Sequence, residues 1–205
     1  MSKLFLCSSF KDTAPLLAGL GLDLGGRGIT FIPTAGNVEK VVFYIASGRK
    51  ALEKLGLVVD VLDVATASPV EIEATLTRNP FIYISGGNTF YLLQELKRSG
   101  AAKWIADEIS NGKIYIGESA GAMVASPDIA YAAAMDSTQK APDLESTTAL
   151  ALSTFYTVPH SINAPFKKAA EKIIASYGSS LALCPISNKQ AIWVNEGEVT
   201  VIDIR

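Results

Sequence analysis

The amino-acid sequence predicts an α/β fold, in which a mainly parallel sheet is flanked by helices on both faces and followed by a C-terminal β-hairpin. Short apolar runs alternate with amphipathic stretches from Lys3 to Val124. The apolar runs are continuous, which is typical of parallel strands buried on both faces. With 205 residues, 49% of them hydrophobic and 19% charged, the chain can bury a substantial core. We therefore expect a single domain over residues 1–205.

The sequence of the first half of the chain predicts three strands and two helices. Continuous apolar runs predict strands over residues 3–8, 28–33 and 57–64. An Asp-Thr cap signal predicts a helix over 12–22, and apolar residues at helical spacing predict another over 37–56, which ends on a glycine. This alternation of strand and helix is what a parallel sheet requires.

The second half continues the pattern and then becomes irregular. Ser68 followed by Pro69 is a helix-start signature. Beyond it we predict a helix at 68–79, strands at 81–87 and 113–117, a helical stretch at 88–112, a long surface loop at 126–147, a helix at 163–178 and strands from 181 to 205. The turn of the final hairpin is the stretch NEGE at 195–198. Loops as long as 126–147 are usually functional or mobile.

Composition and charge argue against several classes of function. The net charge is −2, and no basic cluster exceeds Lys167-Lys168, so we expect no nucleic-acid partner. No apolar run suits a signal peptide or a bilayer span, so we expect a cytoplasmic protein without membrane contact. Cys7 and Cys184 lie far apart in strand-like segments, which indicates free buried thiols in a reducing compartment. We expect no cofactor and no metal.

The stretch GESAG, residues 117–121, places Ser119 between a predicted strand and a predicted helix. This is the context of a nucleophile elbow, a tight turn that presents a serine at the edge of a sheet. A side chain at Gly117 or Gly121 would collide with the strand or the following helix. The pattern predicts that Ser119 is a nucleophile, although a glycine-lined turn required only for packing would have the same sequence pattern.

The stretch ISGGNTF, residues 84–90, ends an earlier strand with two successive glycines. Such a turn exposes backbone N–H groups at the edge where α/β folds place their sites. We predict that the amides of Gly87 and Ala120 form an oxyanion hole. The alternative is a plain strand-end turn capped by Asn88.

His160 is the only histidine of the chain, so any imidazole that activates Ser119 must be His160. It follows a strand-like stretch and a proline, which favours a position at the sheet edge. The group that orients His160 stays open at this point. Asn188 lies between two strand-like runs, the long loop offers Asp136, Asp143 and Glu145, and Glu196 and Glu198 are interpreted as solvated residues of the hairpin. An amide can orient an imidazole but cannot stabilise its charged form as a carboxylate does.

Three stretches, FIYISGGNTF, IYIGESAGAMVASP and TVPHSIN, together resemble the dipeptidase E and cyanophycinase family of serine peptidases. The resemblance runs over most of the chain and implies a flavodoxin-like, class I glutamine amidotransferase-like fold. It implies a Ser-His hydrolase of peptide or amide bonds, with Ser119 as nucleophile, His160 as base, and Gly87 and Ala120 as oxyanion hole.

The sequence departs from that family at two positions. Where the family has a Glu after the histidine, this chain has Asn188, and where the family has an Asp after the elbow helix, it has Ala134, with Asp136 two places on. The family's preference for an N-terminal Asp depends on a basic residue after the histidine. Only Lys167 and Lys168 are candidates for it here, so the preference is not carried over.

Enzymes with related folds have different residues at the catalytic positions. Glutamine amidotransferases have Cys at the elbow and His-x-Glu later, whereas this chain has Ser119 and His160-Ser161-Ile162. The α/β-hydrolases place the acid of the triad before the histidine, on a strand that is missing here.

The leading hypothesis is a serine peptidase of small peptides, in which acyl transfer runs from Ser119 with His160 as general base. The alternative is a catalytically weakened relative that binds a peptide, which the residues Asn188 and Ala134 would favour. An acyl transferase or esterase with the same dyad is a third, weaker hypothesis. A small peptide is the expected partner, and a homodimer is compatible with the sequence.

Overall fold

The computed structural model, which describes residues 2–204, has a central sheet of seven strands. In chain order these are β1 (Lys3–Cys7), β2 (Gly28–Ile32), β3 (Val58–Val61), β4 (Phe81–Ile84), β5 (Ile114–Glu118), β8 (Gln190–Asn195) and β9 (Glu198–Asp203). A separate parallel pair consists of β6 (Tyr156–Val158) and β7 (Leu183–Pro185). The order across the large sheet is β3-β2-β4-β5-β1-β8-β9.

The large sheet is parallel over its first five strands and antiparallel at its end. Strands β3, β2, β4, β5 and β1 pair in parallel, whereas β8 runs antiparallel to β1 and forms a hairpin with β9. Both central residues of the hairpin turn have positive φ, 53° at Glu196 and 88° at Gly197, as the tightest hairpin turns require. The predicted fold class and C-terminal hairpin are confirmed.

Seven helices accompany the strands within residues 2–204. They are α1 (Phe10–Ala18), α2 (Phe43–Lys54), α3 (Pro69–Arg78), α4 (Thr89–Arg98), α5 (Ala101–Ser110), α6 (Ala120–Val124) and α7 (Lys167–Tyr177). None of the helices in this range is long and apolar enough to cross a membrane. Short 3-10 helices lie at Thr34–Gly36, Ala130–Ala134 and Thr138–Lys140.

Two hydrophobic clusters cover the two faces of the sheet. Leu4 and Leu6 of β1 face the cluster that contains α3 to α7, whereas Phe5 and Cys7 face the cluster of α1 and α2. Successive residues of a strand point to opposite faces, so every second residue of β1 belongs to the same cluster. Burial on both faces explains why the strands are continuously apolar in sequence.

Three of the predicted helices begin elsewhere in the structure. The helix predicted from Asp12 begins at Phe10, because the N–H of Thr13 already donates to the carbonyl of Ser9 at 3.1 Å. The helix predicted from Asn37 begins only at Phe43. The apolar residues before it do not face the core: Val41 is 59% exposed and Val42 44%. The helix predicted from Asn163 begins only at Lys167.

Two further predictions need correction. The helical pattern at 88–112 is two helices, since Gly100 between them has a φ of 79°, a left-handed conformation that ends a helix. The stretch 126–147 is only partly a surface loop. Ile129, Tyr131 and Ala132 are buried, and the Tyr131 hydroxyl donates to the carbonyl of Thr157 at 2.6 Å.

Candidate active site

Ser119 lies between β5 and α6 with a φ of 50° and a ψ of −105°. Its N–H donates to the carbonyl of Cys7 at 2.8 Å, which ties the turn to the end of β1. A Cβ on Gly117 would lie 2.6 Å from the Gly121 carbonyl oxygen, and one on Gly121 would lie 2.2 Å from the Ile84 carbonyl oxygen. The glycines are therefore required by packing, and the strained serine has the geometry of a nucleophile elbow.

His160 lies next to the serine, with its Nε2 3.1 Å from Ser119 Oγ. The residue has a φ of 57°, and its N–H donates to Ser8 Oγ at 2.9 Å. Its ring stacks on Phe166, with 4.9 Å between the ring centres. Backbone and ring are thus both held in place beside the serine.

Asn188 lies on the far side of the imidazole, with its Oδ1 2.6 Å from His160 Nδ1. An amide oxygen only accepts hydrogen bonds, so Nδ1 carries the proton and Nε2 presents its lone pair to Ser119. The N–H of Asn188 donates to Asn163 Oδ1 at 2.8 Å. Burial lowers the pKa of His160, although the hydrogen bond that Nδ1–H donates to Asn188 acts against this shift. A neutral imidazole in this tautomer can act as a general base.

Asp136 contacts the first residue of α4 rather than the imidazole. Its Oδ2 accepts the N–H of Thr89 at 2.9 Å and the hydroxyl of the same residue. A carboxylate suits the N-terminus of a helix, where N–H groups lack partners. Burial raises the pKa of Asp136, and the two bonds from Thr89 act against that rise. The structure therefore brings together Ser119, His160 and Asn188, and not Asp136.

The remaining predicted candidates lie away from the imidazole. Asp143, Glu145, Glu196, Glu198, Lys167 and Lys168 are exposed, and Lys167 pairs with Glu171 at 3.9 Å. Ala134 ends a short 3-10 helix. Within residues 2–204, no three His, Cys, Asp or Glu side chains are grouped so as to hold a metal ion.

The turn from Ser85 to Asn88 leaves one amide available. The N–H of Ser85 donates to Ile32 at 3.0 Å and that of Asn88 to Ala35 at 2.8 Å, whereas the N–H of Gly87 has no acceptor among the described residues. The same holds for the N–H of Ala120. Gly87 has a φ of 138°, and a Cβ there would lie 2.2 Å from the Ala35 carbonyl. Asn88 does cap α4, since its Oδ1 accepts the N–H of Tyr91 at 2.9 Å.

These groups open into a cavity of about 650 Å³. Its wall combines the serine and the imidazole with apolar surface from Phe43, Pro165 and Phe166. The hydroxyl of Tyr44, another wall residue, is buried without a hydrogen-bond partner among the described residues. The cavity thus has the size and mixed polarity of a small-molecule or peptide site.

Two residues beside the site were not anticipated from sequence. Ser8 bonds the backbone of His160, and Glu118, immediately before the serine, is buried at 4% exposure. A charged residue in an otherwise apolar and glycine-rich elbow was the sequence signal that could have identified Glu118. No pattern marked Ser8, because its partner is 152 residues away.

Comparisons with known proteins agree over nearly the whole chain. A model of peptidase family S51 matches residues 4–202. An uncharacterised peptidase of Listeria innocua is 58% identical over 199 residues, which cover 97% of this chain and 95% of that protein. Peptidase E of Salmonella arizonae is 37% identical over 105 residues, which cover 51% of this chain and 44% of that protein.

Solved structures show the same likeness in three dimensions. A crystal structure from Listeria monocytogenes EGD-e, provisionally assigned as a peptidase E, superposes with a TM-score of 0.96 at 52% identity and covers 100% of both chains. A peptidase from an acI-B1 actinobacterium gives a TM-score of 0.72 at 23% identity over 100% of this chain and 88% of that one. At this lower identity the likeness supports the fold alone.

Proposed function

This chain belongs to peptidase family S51 and is a serine peptidase, and on that premise we propose that Ser119 is its nucleophile and His160 its general base. The observation that carries the proposal is the 3.1 Å separation between Ser119 Oγ and His160 Nε2. A nucleophile and its base must lie within hydrogen-bond reach of each other.

The reaction follows from this geometry. As Ser119 Oγ attacks the scissile carbonyl carbon, His160 Nε2 takes the hydroxyl proton, and the carbonyl oxygen becomes an oxyanion. The free N–H groups of Gly87 and Ala120 stabilise that oxyanion. The C–N bond then breaks, and His160 gives the proton to the departing amine. Water, deprotonated by the same imidazole, hydrolyses the acyl-enzyme and restores Ser119.

In this proposal Asn188 is the third member of the catalytic triad, after Ser119 and His160. It accepts the hydrogen bond from Nδ1 and fixes the tautomer and the ring orientation. An uncharged amide gives the imidazolium less stabilisation than a carboxylate, so proton transfer to Nε2 is less favourable. We expect catalysis that is slower than with a carboxylate in this position. The alternative of a catalytically weakened binding protein is not favoured.

The substrate we propose is a small peptide. The leaving amine must lie within reach of His160 Nε2, so the residue that departs lies on the side of Phe166, whose ring stacks on the imidazole. The acyl part then extends past Gly87 toward Tyr44, whose buried hydroxyl is without a partner in the described part of the chain. A cavity of about 650 Å³ accommodates a short peptide rather than a folded protein.

We further propose that the chain acts as one catalytic domain in the cytoplasm. The site draws on β1, β5 and the segment before β8, which belong to one sheet, and this supports a single unit. Cys7 and Cys184 are free thiols, which suits a reducing compartment. The homodimer stays a prediction.

A fluorophosphonate probe tests the nucleophile directly. We expect wild type to be labelled and Ser119→Ala to lose both labelling and peptidase activity, because the probe reacts only with an activated hydroxyl. Ser110→Ala, which removes an exposed hydroxyl at the end of α5, is the matched control and should label normally. Unlabelled wild type that is folded by circular dichroism would contradict the proposal.

A further inference from the structure

The side chain of Glu118 is directed into the protein at the point where β5 ends and the elbow begins. One carboxylate oxygen accepts the N–H of Phe10 at 2.7 Å, and the other accepts the Tyr83 hydroxyl at 2.5 Å. The N–H of Gly86 lies near the same carboxylate and favours its charged form. A single side chain thereby bonds the first residue of α1 and strand β4, and it lies beside the glycine turn that follows β4.

Burial of a carboxylate is unfavourable unless donors replace the lost water. At Glu118 the donors are present: burial raises its pKa, and the bonds from Tyr83 and Phe10, with the nearby N–H of Gly86, act against that rise. The N-terminus of α1 adds a favourable dipole. Gly48 leaves room for the arrangement, because a Cβ there would lie 2.5 Å from the Tyr83 hydroxyl.

The position of Glu118 matters because of the amides around it. In the turn after β4, the N–H groups of Ser85 and Asn88 donate to backbone carbonyls, and that of Gly86 faces Glu118. The N–H of Gly87 has no hydrogen-bond acceptor among the described residues. Gly86 also lies against the serine, since a Cβ on it would be 3.3 Å from Ser119 Cβ.

We propose that Glu118 is a positioning residue for the oxyanion hole. It anchors strand β4 through Tyr83 and attracts the Gly86 amide, so that the next amide, that of Gly87, points at the reacting carbonyl. The proposal rests on the proposed function of Ser119 and Gly87. Glu118 is also the residue before the proposed nucleophile, and its bonds hold that end of the elbow. Both oxyanion donors, Gly87 and Ala120, therefore depend on the same carboxylate. A hole whose donors are fixed before the reaction stabilises the transition state more than the bound substrate.

The test is the variant Glu118→Gln, which keeps the shape of the side chain. The Tyr83 hydroxyl can rotate to accept from the new amide group, so the fold should be retained. Loss of the charge weakens the hold on Gly86, and we expect kcat to fall about 10-fold while KM changes less than about 2-fold. A peptide boronic acid, which binds as a tetrahedral adduct, should lose affinity by a similar factor, because it uses the same hole.

Glu108→Gln is the matched control, since Glu108 is a buried carboxylate on α5, away from the cavity, that pairs with Lys113 at 2.9 Å. It should leave kcat and boronic acid affinity at wild-type values. If Glu118→Gln does not fold, glycolic acid in place of Gly86 removes only that N–H and should reduce kcat similarly.

The proposal is overturned if Glu118→Gln or the glycolic acid variant at position 86, when folded, retains wild-type kcat and boronic acid affinity, or if only its KM changes. Activity in Ser119→Ala would instead overturn the proposed nucleophile. Loss of activity in Ser119→Ala together with a normal Glu118→Gln would overturn the role of Glu118 alone.

Discussion

Two groups of residues on the cavity wall differ in charge and in what they bond. The His160 group consists of Ser8, His160, Phe166 and Asn188 and has only a neutral amide behind the imidazole. The α4 group consists of the wall residues Gly87, Asn88 and Asp136 together with Thr89, which is buried and bonds Asp136, and it contains a half-buried carboxylate. On charge alone, Asp136 would be the better partner for an imidazole.

The carboxylate nevertheless bonds the start of a helix and the amide bonds the imidazole. Asn188 lies two residues before β8, which pairs with β1, and Ser8 directly follows β1. The pairing of these strands places residue 188 beside His160, whatever its charge. Position at the sheet edge, rather than acidity, therefore selects the group that bonds His160 Nδ1.

The strongest test of this comparison is His160→Ala. Within the described residues no other imidazole exists to replace it, so we expect kcat/KM to fall by about 10³-fold or more, as when a triad member is removed. Steady-state hydrolysis of a chromogenic peptide measures the loss. Near wild-type hydrolysis by the folded variant would show that the His160 group does not carry the chemistry.

The next largest effect should come from Asn188→Asp, which puts a carboxylate of the same length behind the imidazole. A negative charge next to Nδ1–H stabilises the imidazolium, and we expect kcat to rise by roughly 10-fold. The pKa of His160 should rise as well. Asn188→Ala is the companion variant and should lower kcat, because the tautomer is no longer fixed.

The Asn188→Asp substitution should also change how kcat depends on pH. In wild type, burial lowers the pKa of His160 below its ordinary value of 6.5, so activity should persist to a lower pH than with an exposed imidazole. Activity is lost as the pH falls through this pKa, because the protonated ring is no base. In Asn188→Asp the acid limb of kcat should move to higher pH. An unmoved limb would argue against contact between residue 188 and the imidazole.

The smallest effect on catalysis should come from the α4 group. Asp136→Ala removes the acceptor for the Thr89 N–H, and we expect a loss of about 1–2 kcal/mol in the free energy of unfolding, as for other helix caps. We expect kcat to fall less than about 10-fold, because His160 keeps its partner. Urea denaturation and steady-state kinetics measure the two effects.

Asp136→Asn sharpens the comparison further, because its amide oxygen still accepts the Thr89 donors and should restore most of the lost stability. A fall in kcat as large as that of His160→Ala would mean that the α4 group belongs to the catalytic machinery.

The sequence predicted the alternation of strands and helices well, because each local signal agreed with the fold. The elbow at Ser119 and the double glycine at Gly87 were recognisable, since a glycine is needed wherever backbone approaches backbone. The helix starts at Phe10 and Phe43 were placed wrongly, because apolar spacing alone does not tell which residues face the core. Gly100 was the local signal that one helical pattern was two.

The partner of His160 could not be chosen from sequence, because Asn188 and Asp136 were equally compatible with the linear pattern. The choice depends on which strands pair, and β1 and β8 are separated by most of the chain. Glu118 was overlooked for a related reason, since its partner residues Phe10 and Tyr83 are 108 and 35 residues away. Long-range contacts of this kind leave no local periodicity.

The place of β1 between β5 and β8 has a consequence for when the enzyme can act during its own synthesis. The proposed nucleophile follows β5, and the amide that bonds the imidazole precedes β8. A nascent chain that ends before Asn195 already contains Ser119 and His160, yet it lacks the complete strand that holds Asn188 against β1. We therefore expect full peptide hydrolysis only once translation has reached the hairpin, and we expect a prematurely terminated chain to carry an incompletely assembled site.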